Sequence, residues 1–111
     1  MKKINRVRKT QEFEKIIKLK NSWANKTFVV YATSKKYDEC RIGISVSKKL
    51  GNAVVRNKIK RQIRMMINEL SYFKGGDKDL IVIVRATYIL QNYHKNKKDL
   101  EIAFKKVKIK K

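Results

Sequence analysis

Arg56, Asn57, Lys60, Arg61 and Arg64 recur at helical spacing in a stretch whose side chains suit a phosphate backbone. With Arg56 set at 0° on a helical wheel, Lys60 falls at about 40°, Arg64 at about 80°, Asn57 at about 100° and Arg61 at about 140°. Val55, Ile59, Ile63, Met66, Ile67 and Leu70 lie between about 260° and 20°. One face therefore enters a core, and the adjoining face displays three arginines, a lysine and an amide. Lys58, at about 200°, points elsewhere. There is no acidic residue between Glu39 and Glu69. A solvated helix face ordinarily interleaves Glu with Lys; here four close like charges cost stability unless an anion neutralises them. Lys48, Lys49 and Gly51 lie just before the helix, whose N-terminus offers free backbone N–H groups to phosphate, although an ordinary strand-to-helix turn reads the same way.

Protein-borne catalysis finds little support. Acid–base cleavage of RNA needs a base and an acid of suitable pKa, and the one histidine, His94, sits in a lysine-rich stretch that reads as solvated surface. A two-metal nuclease needs clustered carboxylates, but Asp38/Glu39 and Asp77/Asp79 fall in polar turns where Asp is expected anyway. A metal-dependent nuclease acting alone would have to use Asp77 or Asp79. The lone Cys40 permits no intramolecular disulfide and no zinc-ligand spacing occurs. No nucleotide-cradling glycine motif is present.

A second surface is suggested by aromatics. Phe13 and Tyr31 could offer stacking platforms for unpaired bases beside the small, polar strand face of Gly43, Ser45 and Ser47. Spacing alone fits core packing better for Phe13 and Phe28.

These residues need elements to position them. Thr10 can cap a helix with Phe13, Ile16 and Ile17 on one face. Residues 28–33 read as a strand, and 41–47 as another, with Ile42, Ile44 and Val46 on one face; an antiparallel hairpin is their simplest pairing. Asn52 caps the cationic helix, which runs to about Leu70. Gly75-Gly76-Asp77 is a turn, and Leu80–Val84, apolar throughout, is an inner strand covered on both faces. Leu100, Ala103, Phe104 and Val107 give a last helix starting near Tyr93, while 86–92 carry no clear signal. The reading is an α+β sandwich in the order α-β-β-α-β-α.

Composition agrees. The chain has 111 residues, 30 Lys+Arg against 9 Asp+Glu, and a net charge of +21. Such self-repulsion calls for a polyanionic partner, while 42% hydrophobic content argues against a disordered basic tail. The length fits one domain over 1–111, with basic ends at 1–8 and 108–111 free to be flexible. The absence of a secretory signal or a membrane-length apolar run leads to the expectation of a soluble, cytoplasmic protein with no membrane or DNA partner.

Arg41-Ile42-Gly43-Ile44-Ser45-Val46-Ser47-Lys48-Lys49-Leu50-Gly51-Asn52-Ala53-Val54-Val55-Arg56-Asn57-Lys58-Ile59-Lys60-Arg61-Gln62-Ile63-Arg64 closely resembles the signature of the bacterial ribonuclease P protein subunit. Arg6-Val7 with Phe13, Ala24-Asn25-Lys26, and Asp79–Arg85 extend the likeness over most of 4–108. The resemblance implies a ribonucleoprotein endonuclease that removes the 5′ leader from precursor tRNA. The RNA subunit would carry the active site and hold the Mg²⁺, so no catalytic residue and no metal site is expected in the protein. It implies an RNA-binding set of Lys48, Lys49, Arg56, Asn57, Lys58, Lys60, Arg61 and Arg64. A leader-binding cleft is matched by Phe13, Ile17 and Tyr31, with Ser45 on the adjoining strand face. It also implies an extra short strand, giving α-β-β-(β)-α-β-α, and a left-handed β-α-β crossover against the usual rule. Lys58 stands where many members have Arg, and Ile17 where many have Phe. On charge and size alone, a small structural ribosomal RNA-binding protein is the alternative.

Overall fold

The computed structural model describes residues 22–34, 42–70 and 78–107. The expected first helix with Phe13 and Ile17, the polar turn with Asp38 and Glu39, the glycine turn at 75–77 and both basic ends lie outside these residues. The chain forms β1 (Ser22–Ala24), β2 (Phe28–Ser34), β3 (Ile42–Ser45), α1 (Ala53–Glu69), β4 (Lys78–Val84) and α2 (Tyr93–Lys106). Single 3₁₀ turns at Lys48–Leu50 and Ala86–Leu90 precede the two helices. The α+β architecture, the extra short strand and the cationic helix all follow the expectation.

The sheet order is β1-β2-β4-β3, with β4 antiparallel to β2 and parallel to β3. The expected hairpin between 28–33 and 41–47 therefore does not form, because β4 lies between those strands. The reason is burial. Leu80, Ile81 and Val82 are fully shielded and Val84 nearly so, and residues apolar on both strand faces are best covered in the middle of a sheet. β3 has Gly43 and Ser45 on its second face and tolerates the edge.

Phe28, Val30, Ala32, Ile42, Leu80, Val82 and Val84 build one sheet face. Ile59, Ile63, Met66 and Ile67 of α1 and Leu100, Ala103 and Phe104 of α2 close over it. Burying each such large side chain contributes roughly 1.5–3 kcal/mol. Val55, expected in this core, is exposed, because it sits in the first turn of α1 beyond the end of β3. The helix caps conform to expectation. The Asn52 side chain accepts from the Val55 N–H at 3.0 Å, and the Asn92 side chain from the Lys95 N–H at 2.9 Å.

A buried polar junction, silent in the sequence, ties the β1–β2 turn to α2. Asn25 Oδ1 accepts from the Thr27 and Phe28 N–H groups, and its Nδ2 donates to the Asp99 carbonyl. Thr27 Oγ1 donates to Asp99 Oδ2 at 2.7 Å, and Lys95 Nζ to Asp99 Oδ1 at 3.0 Å. Gln91 Nε2 reaches Thr27, Asn96 and Asp99. These bonds place the previously unassigned segment 86–92: Tyr88 packs edge-on against Phe28, donates to Gln62 Oε1 of α1, and its carbonyl accepts from Asn96.

Candidate nucleic-acid interface

The basic helix is entered through a tight turn. Ser47 leaves the strand after Ser45 and accepts from the Lys49 N–H, so it caps the 3₁₀ turn and does not extend the small face of β3 as expected. Gly51 has φ +151°, and a Cβ there would come within 2.8 Å of Val55 Cβ and Cγ1. Only glycine fits without displacing the first turn of α1. Lys48 and Lys49 project from this turn into solvent, next to the helix N-terminus.

Along α1, Asn57, Lys58 and Arg61 are exposed, and Arg56, Lys60 and Arg64 are half-exposed. The flank carrying Gln62 and Glu69 turns toward Tyr88 and α2, where Gln62 meets Tyr88 and Glu69 meets Tyr93 and Lys97. Lys60, Arg64 and Asn57 occupy the opposite flank, on the side of the sheet edge formed by β3. None of Lys48, Lys49, Arg56, Lys58, Lys60 and Arg61 forms an ion pair among the described residues. Arg56 Nε is shielded from solvent with no hydrogen-bond acceptor. Such a donor carries a desolvation cost that an arriving anion would offset. The residues expected from sequence to bind RNA thus lie on one turn and one helix, in a span without Asp or Glu from residue 46 to 68.

The second sheet face is described only in part. Register sets Ser22, Tyr31, Ile81 and Gly43 in one cross-strand row, and Ala24, Val29, Ile83 and Ser45 in the next. Tyr31 and Ser45 are half-buried on this shared face. Tyr31 stands in the middle of β2 and is separated from Gly43 by β4, so it neither ends its strand nor adjoins the glycine face directly. Phe28 is a core residue.

Acidic groups are placed elsewhere. Asp79, expected in a turn, lies inside β4 and is 1% exposed. Its strand is central, and the apolar run begins one residue later. Among the described residues, no three His, Cys, Asp or Glu side chains gather where a metal ion could be held. His94 is exposed at the start of α2, its ring edge-on to Tyr93 at 6.0 Å. Among the described residues, no helix is long and apolar enough to cross a membrane.

A four-stranded mixed sheet under two helices, one presenting an acid-free cationic face, defines a class of small basic α+β proteins. The ribonuclease P family model matches residues 1–108. The ribonuclease P protein component of Bacillus pumilus is 45% identical over 107 residues, covering 96% of this chain and 90% of that protein. The solved RNase P protein of Staphylococcus aureus superposes with a TM-score of 0.83 at 43% identity, covering 95% of this chain and 96% of that one. The Thermotoga maritima RNase P protein gives 0.81 at 28% identity, covering 93% and 97%. The chain belongs to the ribonuclease P protein family. It is a protein subunit of the ribonuclease P endoribonuclease complex, whose family function is maturation of the tRNA 5′ end. The ribosomal alternative gives way to this membership.

Proposed function

We propose that the chain binds the catalytic RNA of ribonuclease P through Lys48, Lys49 and the Arg56, Asn57, Lys58, Lys60, Arg61 and Arg64 face of α1. The observation that carries this reading is that Lys48, Lys49, Arg56, Lys58, Lys60 and Arg61 are exposed or half-exposed and form no ion pair among the described residues. Arg forks and flexible Lys charges suit phosphate oxygens, and binding would release the counterions condensed on the RNA. The opposite sheet face, with Tyr31 and Ser45, would guide the single-stranded 5′ leader of precursor tRNA by stacking and close backbone approach, together with Phe13 and Ile17, which the family resemblance assigns to the same cleft and which lie outside the described residues.

In this reading the RNA subunit carries the active site and holds the Mg²⁺ that supports phosphodiester hydrolysis. The protein contributes binding and orientation, and it works in the cytoplasm where precursor tRNA is made. Its own residues neutralise phosphate repulsion between two RNAs that must approach closely, which lowers the Mg²⁺ needed for assembly.

The test is leader removal from precursor tRNA by the cognate catalytic RNA at low Mg²⁺, with and without the protein. The expected outcome is strong enhancement by the protein, and none would refute the reading. Tyr31→Ala should reduce binding of precursor tRNA bearing a leader by about 3- to 10-fold, in line with stacking of roughly 1 kcal/mol, and leave leaderless tRNA unchanged. Equal effects on both would exclude the stacking role.

A further inference from the structure

Five large apolar side chains stand exposed among the described residues: Val54 at 76%, Val55 at 38%, Met65 at 53%, Ile89 at 52% and Leu90 at 84%. Four of the five lie at one end of the sheet. Register brings the start of β2 beside the end of β4, with Phe28 opposite Val84, and the end of β3 beside β4, with Ser45 opposite Ile83. The segments leaving that end are the β1–β2 turn, the Lys48–Leu50 turn with the first turn of α1, and the 3₁₀ turn Ala86–Leu90. Across residues 24–27, 46–55 and 84–92 there is no Asp or Glu, while Lys26, Lys48, Lys49 and Arg85 are present and exposed.

Ile89 and Leu90 are held outward by construction. Tyr88 before them is anchored inward on Phe28 and Gln62, and Gln91 after them is anchored on Thr27, Asn96 and Asp99. A turn pinned at both flanks cannot fold its two middle side chains back into the core. Single exposed apolar residues are ordinary, but a fixed Ile–Leu pair among segments that hold exposed cations and no acid of their own, with Asp99 beneath them buried and tied to Thr27, Gln91 and Lys95, is matched to something apolar that arrives with negative charge. An RNA strand with an unstacked base has both properties.

We infer that Ile89 and Leu90 form a platform for an unpaired nucleobase, with Lys26 and Arg85 taking the neighbouring phosphates, so that RNA contact continues from α1 around this end of the sheet. The inference rests on the RNA-binding reading above and adds an apolar contact to it. A nucleobase laid on the pair covers aliphatic surface, and the flanking cations fix the strand without reading sequence. Such contact releases no counterions and leaves the salt dependence to the cations.

The test compares the unaltered protein with Ile89→Ser/Leu90→Ser, and with Leu90→Ser alone as the milder change. Thermal melting controls for folding, since both side chains are already exposed. One arm measures affinity for the transcribed catalytic RNA. The other measures affinity of the assembled protein–RNA complex for precursor tRNA with its leader. The expected result is about a tenfold loss for the double variant in one arm, with an unchanged slope of log affinity against log salt. The arm affected identifies which RNA supplies the base. Unchanged affinity in both arms overturns the inference. So does a shift from dimer to monomer in sedimentation at unchanged RNA affinity, which would make the pair a self-association surface. If the unaltered protein binds neither RNA, the RNA-binding reading falls and takes this one with it. If it binds and the variants bind equally, only the platform is lost.

Discussion

α1 and α2 each carry five cations and treat them in opposite ways. On α2, Lys95 pairs with Asp99 at 3.0 Å, Lys97 with Glu69 at 2.6 Å and Lys105 with Glu101 at 3.6 Å. On α1, Arg56, Lys58, Lys60 and Arg61 have no ion pair among the described residues, and the one acid of that helix, Glu69, is turned toward α2. An equal number of cations therefore does not mean an equal role. Three of the five cations on α2 are matched within the fold and help to hold it, whereas Arg56, Lys58, Lys60 and Arg61 on α1 repel one another with no ion pair among the described residues. Counting cations would rank the two helices alike; counting their ion pairs separates them.

The sharpest way to break this contrast is Asp99→Ala. It strips Thr27, Gln91 and Lys95 of a common acceptor in a buried junction, and should cost about 3 kcal/mol, read by thermal or denaturant unfolding. RNA affinity of the folded fraction should keep its salt slope. The same carboxyl gives a pH dependence. Burial pushes its pKa up, but hydrogen bonds from Thr27, Gln91 and Lys95 outweigh this and hold it below the ordinary carboxylate value. The folded state thus takes up this proton less readily than the unfolded chain. The stabilisation is complete above the unfolded value of about 3.9 and is lost as pH falls through the folded one. Melting temperature should drop in that acid range, and Asp99→Asn should flatten the drop.

A smaller effect, of the opposite kind, is expected from replacing Arg56, Lys60 and Arg64 together by Ala. Affinity for the catalytic RNA should fall by on the order of 30-fold, and the salt slope should become shallower by roughly 0.7–0.9 per lost phosphate contact. An unchanged slope would remove α1 from the interface and erase the contrast. The smallest effect belongs to Glu69→Gln, at the point where the helices meet. Hydrogen bonds from Lys97 and Tyr93 lower the Glu69 pKa, yet the carboxylate is exposed, so melting should shift by no more than about 2 °C. A large loss would show that the α1–α2 pairing, and not only the Asp99 junction, holds the helices together.

What could be read in advance follows the range of the interactions. α1 was legible from Asn52 to Leu70 because its cap, its apolar period and its lack of acids are all local. The apolar run at 80–84 announced a central strand for the same reason. The position of β4 between β2 and β3 was not legible, since strand order depends on which faces compete for burial and not on sequence neighbours. The Asp99 junction was equally hidden: Thr27 and Asp99 are separated by 72 residues, and nothing near either marks the other. Residues 86–90 have neither Gly nor Pro to punctuate them, and their path is set by Tyr88 and Gln91 finding distant partners. The α1 cations were visible because no acidic residue lies near them in the sequence, and the structural polar groups were invisible because their partners are distant along the chain.

The place of β4 also has a consequence during synthesis. The β1–β2 hairpin can form as soon as it leaves the ribosome, but β2 lacks its second neighbour, and β3 the strand it pairs with, until residue 84 has emerged. Through that interval, α1 is already made and carries its five cations without a finished sheet beneath it. The nascent chain therefore presents a polyanion-seeking segment before it has a fold to mount it on, in a compartment of the cell crowded with RNA. Late insertion of one strand would then set the moment at which loose electrostatic attraction becomes a defined surface.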